Sequence, residues 1–166
     1  MFELKPLTPE SIPRALEKAE RYRLLNEPAE AESICQDVLG VEPDNQQALV
    51  TLLLACTDLF DEELGENIRE AEGAVGKLAD AYARVYYGGI VFERKAKTQL
   101  KRGTAGMGHA AYESLRRAMS LYEKAEAIRP PGNDDALLRW NTCVRLLERH
   151  PHLTPAPPES AELPLE

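Results

Sequence analysis

Gly103-Thr104-Ala105-Gly106-Met107-Gly108 comes nearest, in this 166-residue chain, to a backbone cradle for phosphate. Glycine lets backbone N–H groups approach an anion closely. The stretch lacks the lysine–serine/threonine ending of a P-loop, and its spacing is not G-x-G-x-x-G. It also follows a helical pattern instead of a strand, so it reads as a mobile connection between helices. His150-Pro151-His152 offers two imidazoles to a metal, with no third ligand nearby. The simpler reading is a helix end, where His150 suits the negative pole of the dipole. Asp61-Glu62-Glu63 gathers three carboxylates with no base or nucleophile beside them, the composition of a solvated helix start. Cys35, Cys56 and Cys143 are far apart in apolar helical stretches with no histidine close in sequence, and read as reduced core thiols. No catalytic constellation emerges. The expectation is a protein that is not an enzyme and needs no cofactor and no metal.

The elements that would position any site are helices. Ala31, Cys35, Val38 and Pro43 stand at offsets of 0, 4, 7 and 12, and Ala118, Tyr122, Ala125 and Pro130 repeat those offsets 87 residues later. The first three positions of each set share one helical stripe. Proline at the fourth cannot continue the helix and marks its end. Aromatics are only 6% of the chain, low for a β-sandwich, and 43% apolar with 29% charged residues is ordinary for a helical protein. No apolar run is long enough to span a membrane, and the first residues lack a basic-then-apolar leader. A cytoplasmic protein is expected.

Along the chain, Thr8 to Leu25 reads as a first helix, and Pro28 opens a second that runs to about Gly40. Asp44 is the expected cap of a third, with Gln47 as its capping-box partner. That third helix, about Asn45 to Leu59, is apolar on nearly every side, which suits the middle of a stack. From Ala71 the pattern runs on helically through Ala81 to Phe92 with no proline to close it. Gly88-Gly89 is either a close-packing point inside this helix or a break in it. A basic, glycine-rich insertion is expected near residues 95–109. A helix from about Ala110 to Ile128 follows, then a closing helix to about Arg149 with Ala136, Trp140, Cys143, Val144 and Leu147 on one stripe. Residues 151–166 are rich in Pro and Glu and read as a disordered tail.

The repeated pattern resembles the tetratricopeptide repeat (TPR), a 34-residue helix–turn–helix unit. With Pro43 as its closing proline, a unit begins at Ile12 and places Ala19, Tyr22 and Ala31 at the family's small, tyrosine and alanine positions. Cys35 and Val38 stand where the family has an aromatic and an alanine, and Ala15 where it has a tryptophan. The second helix of the later unit fits better, through Ala118, Tyr122 and Ala125, while its first helix does not fall at the normal distance. The resemblance implies an all-α fold of antiparallel helix-pair repeats over residues 1–150, a right-handed solenoid of about three repeats ending in a C-terminal capping helix. In this family the first helix of each unit lines a concave groove. By position, that groove takes Leu16, Glu20 and Arg23 from the first unit, Val50, Leu54 and Asp58 from the second, and Tyr86, Ile90 and Glu93 from the third, with Gly89 in the small-residue place. Such a groove is apolar in the middle with charged edges. It is unlike the family's terminal-carboxylate grip, which needs lysine, asparagine and arginine at these places.

Charge is unevenly spread. Residues 1–80 hold 18 acidic and 7 basic side chains, a net of −11, while residues 81–130 hold 4 and 10, a net of +6. The chain as a whole is at −8, which argues against a general nucleic-acid binder. The expected function is a protein–protein adaptor or scaffold whose groove holds a peptide or helix of another protein. The alternative is a homo-oligomer that pairs its acidic half with its basic centre. An enzyme or nucleotide binder built on the glycine loop comes third. Neither nucleic acid nor membrane is an expected partner.

Overall fold

The computed structural model describes residues 1–158. Among them the chain is all-α, with seven helices and no strand. A 3-10 turn at Pro9–Ser11 leads into α1 (Ile12–Leu24), followed by α2 (Pro28–Val41), α3 (Gln46–Asp58), α4 (Leu64–Gly76), α5 (Ala81–Arg102), α6 (Met107–Ile128) and α7 (Asp135–Arg149). Each helix packs on the next, and α3 also touches both α1 and α5. Ala31, Cys35, Val38, Ala118, Tyr122 and Ala125 are completely buried, as the repeated offsets require.

Local chemistry explains the helix ends. Proline stands in the first turn of both α1 and α2, where no intrahelical N–H bond is lost. Asn45, and not the expected Asp44, caps α3, its side chain accepting from the Ala48 N–H at 2.9 Å. Gln47 makes no capping box but donates to Glu20 at 3.1 Å, tying α3 to α1. The eight buried residues of α3 include Leu49, Leu52 and Leu53, and the helix packs against α1, α2, α4 and α5. Each buried leucine contributes about 1.5–3 kcal/mol.

The continuous helix expected from Ala71 to Phe92 is two helices. The chain turns at Lys77–Asp80, and the Asp80 side chain caps α5 by accepting from the Ala83 N–H at 2.8 Å. Arg84 holds the same turn, donating to the carbonyls of Leu78 and Ala79 at 2.7 and 2.8 Å. Gly88 and Gly89 lie inside α5 and do not break it. The insertion expected near 95–109 is mostly absent, because Lys95 to Arg102 complete α5. Ala96, Thr98 and Gln99 there are buried, and Ser114 of α6 donates to Gln99 at 2.8 Å. Only Gly103–Gly106 is a loop. Gly103 and Gly106 have φ of +60° and +80° and flank the helix ends, so these glycines stop α5 and start α6.

At 22 residues each, α5 and α6 are too long for a 34-residue unit, which is why the second set of offsets lacked a first helix at the usual distance. The tail is anchored where it leaves α7. Leu153 is buried in the α5–α7 core, and His109 Nδ1 lies 2.8 Å from the Thr154 carbonyl. The remainder of the expected tail, 159–166, lies outside the described residues.

Candidate functional site

Helix α5 organises a polar cleft. Its C-terminal half presents Arg94, Lys97, Thr98 and Lys101 to a cleft of about 470 Å³. Arg23 and Asn26 enter from the end of α1, Thr57, Asp58 and Asp61 from the end of α3, and Arg139 from α7. The repeat arithmetic had placed Arg23, Asp58 and Glu93 at the groove's edges. Arg23 and Asp58 line this cleft, and Glu93 lies beneath it.

Two carboxylates hold the cations in place. Asp58 accepts from Arg23 Nε at 2.6 Å and also from Arg94, so one carboxylate sits between two guanidinium groups. Glu93 is 1% exposed, and burying a carboxylate is unfavourable unless its lone pairs are filled. Three donors fill them: Tyr122 Oη at 2.7 Å, Lys97 Nζ at 2.5 Å and Arg139 at 3.5 Å. Burial first, and then the Glu93 charge, hold the Tyr122 phenol protonated far above its usual range. Burial is the largest single influence on Arg139 and works against its charge, but Glu93, Tyr86 and Tyr122 together outweigh it and raise the pKa. Lys101 pairs with Asp61, whose carboxyl is lowered chiefly by the hydrogen bond from Lys101.

Tyr122 reaches Glu93 because its ring occupies the space that a side chain at Gly89 of α5 would fill. A Cβ on Gly89 would come within 2.4 Å of the ring. Gly89 and Glu93 are four residues apart and share one face of α5. A glycine without side chain thus sets the position of a tyrosine, the tyrosine sets a buried glutamate, and the glutamate sets two cations at the cleft.

The remaining expected groove residues divide. Leu16 packs with Ile12, Val38 and Ala48, so it is core and lines no open face. Ile90 is likewise core, in the cluster around Ala118 and Tyr122. Val50, Leu54 and Tyr86 are half-buried, and Glu20 is exposed and bound to Gln47. Leu54 touches both major core clusters and sits one turn before Asp58 on the same α3 face. Of the expected apolar groove residues, Val50, Leu54 and Tyr86 are thus the ones left partly open, while Arg23, Asp58 and Glu93 gather at or beneath the cleft.

The basic centre is not one patch. Arg117 stacks on Phe92 at 4.1 Å from the ring centroid and Lys95 approaches the same ring, while Arg84 holds the turn between α4 and α5. Acidic first half and basic centre meet within the chain, through Asp58–Arg94 and Asp61–Lys101.

The other sequence candidates carry little chemistry. Cys35 and Cys143 are buried, and burial pushes both thiols up to about 12, so neither is a thiolate at neutral pH. Burial raises Cys56 still further. His150 and His152 meet edge to face, and among the described residues no three His, Cys, Asp or Glu side chains converge as metal ligands. Among the same residues no helix is long and apolar enough to cross a membrane. No family model, curated protein or solved structure matches the chain.

Proposed function

We propose that this chain is an adaptor of the TPR type, a right-handed array of helix pairs that holds a peptide or helix of a partner protein and catalyses nothing. One observation carries this reading: α1, α3, α5 and α7 jointly build one cleft, and the half-buried Leu54 stands one turn before its Asp58 on α3. A surface assembled from four helices recognises length and pattern in a ligand better than a single reacting atom. The contacts of α3 with α1 and with α5 support this reading, since first helices of successive pairs would be neighbours in an inner layer. Three apolar anchors at about 1.5–3 kcal/mol each, less the ordering of the ligand, amount to on the order of micromolar affinity.

The test is site-directed photo-crosslinking in extracts of the source cell. A photoreactive residue at Val50 should join a small set of proteins through one segment. One at Lys18, on another face, should not. Leu54→Glu should abolish the crosslinks while helical circular dichroism is retained. Identical products from Val50 and Lys18 would refute the adaptor reading.

A further inference from the structure

We infer that the cleft recognises a pair of acidic side chains, about one helical turn apart, in the partner segment. This rests on the adaptor reading above and names the chemistry it selects. The argument is a local charge count. Asp58 is shared by Arg23 and Arg94, which leaves one positive charge uncompensated. Glu93 is shared by Lys97 and Arg139, which leaves a second. Lys101 and Asp61 cancel. The cleft thus has two separate positive excesses inside a chain whose net charge is −8.

Donor inventory agrees. Arg94 gives one N–H to Asp58 and Lys97 gives one to Glu93, so most of their donors remain free. Both carboxylates are already engaged, so the unused capacity at the two trios is for an acceptor. Arg94 and Lys97 stand three apart on α5, neighbours at roughly 5–6 Å between Cβ atoms. Two carboxylates on successive turns of a helical ligand, or two residues apart on an extended one, match that separation. A single phosphate would bring both charges to one point and leave one trio unserved. The half-buried Leu54, one turn before Asp58 on α3, places an apolar residue of the same segment next to its acids.

The experiment uses the full chain and a fluorescent, acetylated and amidated peptide with two leucines followed by two glutamates four residues apart. Its twin has glutamine at both acidic places. Blocked ends remove any contribution from a terminal carboxylate. Anisotropy at low salt should show the glutamate peptide bound about tenfold more tightly or better, as two charge-assisted contacts imply. The difference should fall to about a third in Arg94→Gln and in Lys97→Gln, vanish in the double variant, and shrink as salt is raised. It should persist in Lys95→Gln, which removes a charge of the same helix that lies over Phe92, outside the cleft. Circular dichroism checks that each variant folds.

Equal and salt-insensitive binding of the two peptides would overturn the inference and leave the adaptor reading standing. So would displacement of the glutamate peptide by inorganic phosphate at matched concentration, since the site would then take any anion. Binding of neither peptide also overturns it, and the crosslinking at Val50 decides the adaptor reading separately.

Discussion

Gly88→Ala and Gly89→Ala are adjacent, chemically identical changes with opposite expected outcomes. Both glycines are buried in the middle of α5, and alanine is favoured over glycine in a helix interior by about 1 kcal/mol. At Gly88 the new methyl meets Leu121 Cδ1 at 3.5 Å and Val75 Cγ1 at 3.8 Å, which are ordinary contacts. Stabilisation of about 0.5–1 kcal/mol follows. At Gly89 it meets Tyr122 at 2.4, 2.7 and 3.0 Å, against the roughly 3.5–4.0 Å that carbon atoms prefer. The ring must retreat by about 1 Å, yet it is wholly buried and its hydroxyl is held by Glu93. Overpacking accounts for about 1–3 kcal/mol, and weakening a hydrogen bond to a buried carboxylate for about 1–3 more. Set against the helix gain, the net loss is about 1–5 kcal/mol. Urea denaturation followed by circular dichroism measures both variants. Tyr122→Leu should relieve the clash, so the double variant should lose less than the sum of the single losses. If Gly89→Ala proves as stable as Gly88→Ala, the ring does not lie against α5, and the route from Gly89 to the cleft fails with it.

Tyr122→Phe should destabilise the fold by about 1–3 kcal/mol in the same assay, since it removes the phenol that satisfies Glu93. Glu32 carries a raised pKa from burial and from Glu70 nearby, so its charged form is disfavoured in the fold and stability falls as pH rises from about 4.5 through the raised value. Glu32→Gln should therefore raise the urea midpoint at neutral pH and leave it unchanged at acid pH below that window. All three thiols should resist a thiol reagent at neutral pH in the native protein and react together in denaturant, as a spectrophotometric assay would read. Light scattering should find a monomer at low salt, because Asp58 and Asp61 already meet Arg94 and Lys101 within the chain; a dimer that dissociates with salt would favour head-to-tail assembly instead.

Helix stripes were legible because a buried face repeats every three to four residues whatever it packs against. Ala31, Cys35 and Val38, and later Ala118, Tyr122 and Ala125, are core for that reason alone. The break between α4 and α5 was missed because no proline marks it. Asp80 and Arg84 make the turn through side-chain bonds, a weaker signal than proline. Groove positions transferred unevenly for a related reason. Counting along repeats names the residue at a position but not how far its helix is rotated. Ile12, Leu16 and Ala19 form the buried stripe of α1, and Leu16 goes with them. Arg23, Asp58 and Glu93 stand 35 residues apart, so repeat counting did bring them together. Arg139 could not be found this way, since two 22-residue helices intervene between any regular period and α7. The available signal was charge: Arg23, Asp58 and Arg94 alternate in sign at 35 and 36 residues.

Glu93 is hard to explain as a contribution to stability. A fully buried carboxylate loses its hydration, and attraction to Lys97 and Arg139 typically does no more than offset that loss. An apolar residue of similar volume against Tyr122 would serve the core as well or better. What it could not do is hold two long, otherwise mobile cations on one side of a cleft. Lys97 and Arg139 are each more than a third exposed, and an unanchored side chain of either type samples many rotamers that a ligand would have to fix. Anchoring them beforehand moves that ordering from the binding step to folding, where Gly89 and Tyr122 already supply the rigid support. On the adaptor proposal the buried charge is understood from the cleft inward: Glu93 is the fixed counter-charge that holds Lys97 and Arg139 at the cleft's edge.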